Sequence, residues 1–136
     1  MVYRERNYRN LKVWHAAHTL TVRVYNLTRD FPDSERFGLV AQLRRSTASI
    51  PANLAEGSAR SSEASFANFV EVAYSSASEA DYQLLLARDV GYLAAREYAA
   101  LEAQIAEIRR MLAAFRRTLR KNGGTTGSRR SAVAFR

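Results

Sequence analysis

Residues 96–120 read REYAALEAQIAEIRRMLAAFRRTLR. Leu101, Ile105, Ile108, Leu112, Phe115 and Leu119 follow one another at alternating spacings of four and three, which places them along one side of an α-helix. Ala, Glu, Arg and Leu, all strong helix formers, fill most of the other positions. An apolar stripe this regular needs partner helices to cover it, and a bundle core explains it far better than a cofactor-binding box.

Toward the N-terminus, Gly91 marks the end of a helix expected over about 62–90, with Phe66, Phe69, Val70, Ala73, Ala77, Ala80, Leu84 and Ala87 on one side. Its many small residues allow a neighbouring helix to approach closely. Ser61 and Ser62 offer N-terminal caps, and Gly91 suits the C-terminal one. Another helix is expected over about 35–59, following Phe31-Pro32-Asp33-Ser34-Glu35. There the residue before proline avoids the α region, and Asp33 or Ser34 can cap. Pro51 sits in the middle of that helix. Its ring lacks an N–H and crowds an earlier carbonyl, so the segment is read as one helix kinked at Pro51 rather than as two. Ala52-Asn53-Leu54-Ala55-Glu56 continues without turn residues, and Gly57 offers an ending.

The first helix, over about 10–29, carries Leu11, Trp14, Ala17, Leu20, Val24 and Leu27 at helical spacing. Four amphipathic helices joined by short connections are best buried as an all-α, antiparallel up-down-up-down four-helix bundle, here assigned to residues 1–121. The periodicity stops at Asn122-Gly123-Gly124, and residues 122–136 hold no acidic side chain. They read as a flexible basic C-terminal tail.

The whole chain has 21 Lys and Arg against 13 Asp and Glu, a formal net charge of +8, which makes a polyanionic partner plausible. Subtracting Arg129, Arg130 and Arg136 leaves +5, so the excess is not confined to the tail. Cysteine is absent, which excludes disulfides, thiolate metal sites and cysteine nucleophiles and fits a reducing, cytoplasmic setting. The N-terminal charges are followed by no apolar stretch, and nowhere do 18 apolar residues run together, which argues against a signal peptide and a membrane span.

Arg109-Arg110 and Arg116-Arg117 recur two helical turns apart, with Arg120 and Lys121 beyond them, forming a basic ridge that phosphates could follow. Arg44 and Arg45 add a second basic pair. The polar run Gln42 to Gly57 holds Ser49, Pro51, Asn53, Glu56 and Gly57. Its architectural reading is that Ser49, Asn53 or a water satisfies the Thr47 carbonyl freed by Pro51, while Glu56 pairs with an arginine. Its other reading is a ligand site. Glu79 and Asp81 are candidate partners for Arg44 or Arg45. His15 and His18 can share a helix face, but metal binding would need further ligands. No phosphate-binding glycine loop, nucleophile elbow or dinucleotide fingerprint is present. No catalytic residue, metal site or cofactor is therefore assigned. Tyr25, Tyr74, Tyr82, Tyr92 and Tyr98 fit rim packing, base stacking or an oligomer contact.

Several segments together resemble a known family: Leu11-Lys12-Val13-Trp14, Phe31-Pro32, Glu35-Arg36-Phe37-Gly38-Leu39, Gln42-Leu43-Arg44-Arg45, Ser49-Ile50-Pro51-Ala52-Asn53-Leu54-Ala55-Glu56-Gly57 and Arg60. The chain is similar, from residue 8 to about 120, to proteins encoded by intervening sequences in bacterial large-subunit ribosomal RNA genes. That family includes the accessory variability protein of diversity-generating retroelements. Phe66, Phe69, Ala73, Ser76 and Glu79 extend the likeness, while Asn68 is neutral where a basic residue is expected. The resemblance implies a four-helix bundle assembled into a ring-like homopentamer without catalytic activity. It also implies a basic surface for RNA or DNA and, in the retroelement member, a reverse transcriptase partner. The expected function is noncatalytic, oligomeric nucleic-acid binding. The alternative is a protein-interaction scaffold.

Overall fold

The computed structural model describes residues 7–123. Its helices are α1 (Lys12–Leu27), α2 (Leu39–Ser58), α3 (Glu63–Asp89) and α4 (Ala95–Gly123), and no strand occurs among the described residues. Successive helices run antiparallel. Arg44, early in α2, reaches Tyr25 late in α1, and Gly57, late in α2, lies against Phe66 and Phe69 early in α3. Gly123 closes α4 beside Ala64 at the start of α3. Because α2 packs on α1 and α3, and α3 on α2 and α4, α1 and α3 stand diagonally across the bundle.

The α4 stripe faces inward as its spacing requires. Leu101, Ile105, Ile108, Leu112 and Leu119 are buried, and Phe115 meets the Phe66 ring edge-on at 5.2 Å between centroids. Each fully buried large apolar side chain contributes about 1.5–3 kcal/mol relative to exposure. From the opposing helices come Leu20, Leu43, Ile50, Leu54, Phe66 and Leu84, all fully buried.

Local chemistry sets the helix ends. Ser62 accepts a hydrogen bond from the Ser65 N–H at 3.1 Å and so caps α3. Gly91, at φ +91°, ends that helix, with the Tyr92 N–H donating to the Ala87 carbonyl at 2.9 Å and its own N–H to Arg88 at 3.0 Å. This is the paired closure that a left-handed glycine permits. α2 starts at Leu39, later than the expected position near Glu35, because Asp33–Glu35 form a 3-10 turn. Neither Asp33 nor Ser34 caps it. Glu35 takes that place, its Oε1 accepting the Leu39 N–H at 3.1 Å. At the other end of the chain, α4 continues through Asn122 to Gly123, and residues 124–136 of the expected tail lie outside the described residues.

Gly57 lies in the last turn of α2, which ends one residue later at Ser58. Its place is a helix crossing. A Cβ there would stand 2.7 Å from the Phe69 Cβ and 2.8 Å from the Phe66 Cδ1, closer than packed carbons approach.

α2 runs as one helix with Pro51 in its interior. The residue four before the proline, Thr47, loses its helical donor, and the replacement comes from another helix. The Thr21 hydroxyl on α1 lies 3.1 Å from the Thr47 carbonyl and 2.8 Å from the Ala17 carbonyl, sharing its single proton between them. Ser49 and Asn53 do not take this role. Asn53 donates to the Ser49 carbonyl at 2.8 Å and to the Ser49 hydroxyl at 2.9 Å, and that hydroxyl bonds Ser76 on α3 at 2.8 Å. Thr21→Val keeps the shape and removes the donor, so it is expected to cost about 1–3 kcal/mol in urea denaturation. In a Pro51→Ala background, which restores an N–H to α2, the same change is expected to cost less. Equal costs in the two backgrounds would mean that Thr21 does not serve the carbonyl freed by Pro51.

Candidate nucleic-acid interface

The eight expected basic residues fall into separate groups. Arg44 is half-buried between α1 and α2, its Nε donating to the Thr28 hydroxyl at 3.0 Å and its NH2 to the Tyr25 carbonyl at 3.1 Å. Its guanidinium also covers the Tyr25 ring at 4.7 Å. Arg44 thus anchors the last turn of α1. Arg45 points the other way, pairing with Glu79 on α3 and donating to Gln42. Glu79 in turn accepts from Gln83 at 3.1 Å, whose Oε1 accepts from the buried Ser46 hydroxyl at 2.6 Å. Of the two acids considered as partners, Glu79 meets Arg45, whereas Asp81 faces α4.

On α4, Arg109 lies 3.6 Å from Asp81 and 3.4 Å from the Tyr74 hydroxyl. The guanidinium groups of Arg109 and Arg116 stand 5.2 and 5.4 Å from the centre of the Tyr74 ring. Arg120 pairs with Glu71 across the α3–α4 groove, and Arg110 pairs with Glu107 on its own helix at 2.6 Å. Arg117 and Lys121 are exposed, and neither lies within ion-pair distance of a carboxylate among the described residues. The expected ridge therefore divides. Its inner row, Arg109, Arg116 and Arg120, is tied to α3, and its outer row, Arg110, Arg117 and Lys121, faces away from the bundle.

The polar motif in α2 is occupied by the fold. Ser49, Pro51 and Asn53 serve the contacts between helices described above, and Glu56 pairs with Arg60 at 3.3 Å. Arg60 also covers the Phe69 ring at 4.6 Å, beside the Gly57 crossing. Of the architectural reading, the pairing of Glu56 with an arginine is present, while the Thr47 carbonyl is served by Thr21 rather than by Ser49 or Asn53.

His18 stacks on Trp14 at 4.9 Å between centroids, and His15 Nε2 sits 2.6 Å from the Arg9 carbonyl. No group of three or more His, Cys, Asp or Glu among the described residues could hold a metal ion. A shallow groove of about 590 Å³ on α1, lined by His18, Val22, Arg23, Asn26 and Glu97, holds no converging acid, base and nucleophile. None of the described helices is long and apolar enough to cross a membrane.

Two phenols titrate above the ordinary range. Tyr98 is raised by burial and by its hydrogen bond to Glu102, and Tyr92 chiefly by donating to Glu35 at 2.9 Å. The Glu35 carboxylate that caps α2 thus also holds the connection between α3 and α4. A phenol pKa raised on folding stabilises below the ordinary value of 10.0 and loses that contribution as pH rises through the raised value. Glu35→Gln is expected to return Tyr92 toward that value, read as a shift in the alkaline ultraviolet titration of the phenols. An unchanged titration would show that the bond does not form.

A helical bundle held together by helix-crossing polar contacts and carrying a basic outer edge is the class that this geometry defines. The family model of the 23S rRNA-intervening sequence proteins matches residues 9–114, and the chain belongs to that family. It is also similar to a crystal structure from Bacteroides thetaiotaomicron described as a protein of unknown function from the S23 ribosomal protein family. The two share 27% identity at a TM-score of 0.72, over 77% of this chain and 95% of that one. No curated protein matches the chain in sequence.

Proposed function

We propose that the chain is a noncatalytic, oligomeric protein that binds RNA or DNA through the phosphate backbone, using the outer edge of α4. The observation that carries this reading is the charge distribution after Glu107. From Ile108 to Arg136 there is no acidic residue, while nine are basic. Within that stretch Arg117 and Lys121 are exposed and unneutralised among the described residues. Arg44, Arg45, Arg109 and Arg120 are engaged within the bundle and act mainly as its ties.

The oligomeric part rests on two apolar patches. Val22 and Tyr25 on α1 are 45% and 42% exposed, Val72 and Tyr82 on α3 are 48% and 60% exposed, and Val90 at the C-terminal end of α3 is 51% exposed. Because α1 and α3 are diagonal, these patches face in different directions. A second copy that covers one patch with the other makes a head-to-tail contact, which closes into a ring when the rotation allows. The homopentamer implied by the family resemblance is such a ring, and repeated basic edges would add avidity. A cytoplasmic location accords with a nucleic-acid partner and a chain without cysteine.

A second reading, docking of a protein partner such as a reverse transcriptase, is favoured by Phe37. This side chain is 85% exposed in the α1–α2 connection, with Arg36 over its ring. Fluorescence anisotropy of a structured RNA with the full chain, across a salt series, tests the first reading. The expected slope of log affinity against log salt is about −2 or steeper, with the complex heavier than one protomer by light scattering. Salt-independent binding, or none at low salt, would overturn it and direct attention to Phe37.

A further inference from the structure

We infer that the nucleic acid recognised by this edge is double-helical rather than single-stranded. This rests on the nucleic-acid reading above and adds the class of ligand. Arg96, Ala103, Glu107, Arg110, Ala114, Arg117 and Lys121 lie along one exposed line of α4. At 100° per residue, Arg110, Arg117 and Lys121 fall within about 40° of arc and span about 16 Å of helix axis. No position on this line is aromatic.

Proteins that hold single strands combine a positive groove with rings on which bases stack, and each stacked base contributes substantially. Among the described residues, the rings beside the α4 line are already engaged. Tyr74 is approached by Arg109 and Arg116, Phe69 by Arg60, and Phe115 packs on Phe66. Phe37 is exposed but lies in the connection leading into α2, at the end of the bundle opposite Lys121. Tyr82 is exposed on the outer face of α3, within the patch assigned to a second copy.

What remains at the line is charge on a straight, rigid support. A duplex presents one phosphate charge per ~1.7 Å of axis, counting both strands, so the unneutralised pair Arg117 and Lys121, about 6 Å apart along the helix axis, lies beside a denser array of phosphates than a single strand presents. A single strand has a lower charge density and must be ordered to follow the same row, without stacking to offset that cost. RNA and DNA duplexes share this phosphate chemistry, and both are included.

The test measures binding of the full chain to a 20-base-pair RNA duplex, a 20-base-pair DNA duplex and a 20-nucleotide oligo(dT) strand. Charge-reversed Arg117→Glu/Lys121→Glu is compared with Arg29→Glu/Arg36→Glu, which changes net charge equally at exposed positions off α4, at the opposite end of the bundle. At moderate salt, at least one duplex is expected to bind about tenfold or more tighter than the single strand. That advantage should be lost in the first variant and kept in the second. Equal affinities for the two duplexes indicate recognition through phosphate alone. Preference for the RNA duplex adds recognition of its shape or 2′-hydroxyls, and both results support the inference. A single strand bound as tightly as the duplexes, or an advantage surviving Arg117→Glu/Lys121→Glu, overturns the inference while the nucleic-acid reading stands. Failure of all three probes to bind at low salt removes that reading itself.

Discussion

Gly57→Val is expected to lower the stability of the bundle by about 3 kcal/mol or more, and Gly57→Ala by about 1–3 kcal/mol. The first added carbon already collides, at 2.7 Å with the Phe69 Cβ and at 2.8 Å with the Phe66 ring. Neither neighbour can swing away. A Cβ is fixed to its backbone, and Phe66 is fully buried with its ring against Phe115. Relief must come from separating α2 and α3, which opens the packing of Leu54 and Val70 nearby. For a domain of this size the alanine change should lower the melting temperature by roughly 5 °C or more. Valine should lower it further and add β-branched crowding. A melting temperature unchanged by Gly57→Ala would show that the two helices do not cross this closely.

Arg117→Glu/Lys121→Glu is expected to reduce affinity for a structured RNA about 30-fold or more at low salt and to flatten the salt dependence by about two counterions. Two contacts that attract phosphate become two that repel it. The pair is a cleaner choice than Arg116 with Arg117, because Arg116 lies over Tyr74 and its loss would also disturb the α3–α4 groove. Both Arg117 and Lys121 are exposed, so the variant should fold with an unchanged helical signal. Retained affinity in a folded variant would move the binding surface off the α4 edge.

Much of the fold is legible in the sequence because helical periodicity is a local property. The alternation of fours and threes from Leu101 to Leu119, the serine before α3 and the glycine after it each act over a few residues. They specify four helices and their apolar faces. At Gly57 the same locality shows only part of the role: the glycine stands at the helix end, as its type suggests, and also serves a close contact with another helix that no local signal shows. It misleads before α2, where the 3-10 turn at Asp33–Glu35 hands capping to a side chain that an acidic N-cap rule does not select.

The candidate surface divides along the same line. Its basic residues can be counted in the sequence, but which of them remain available cannot. Arg45 and Arg120 are tied to carboxylates 34 and 49 positions away, and the carbonyl freed by Pro51 is served by a hydroxyl 26 positions away. The sequence by itself determined the helices, their inward stripes and the positive balance, all properties of neighbouring positions. The tertiary structure decided which arginines tie helices together and which face solvent, because an ion pair depends on approach within a few ångströms, and only the packing of whole helices brings such distant positions together.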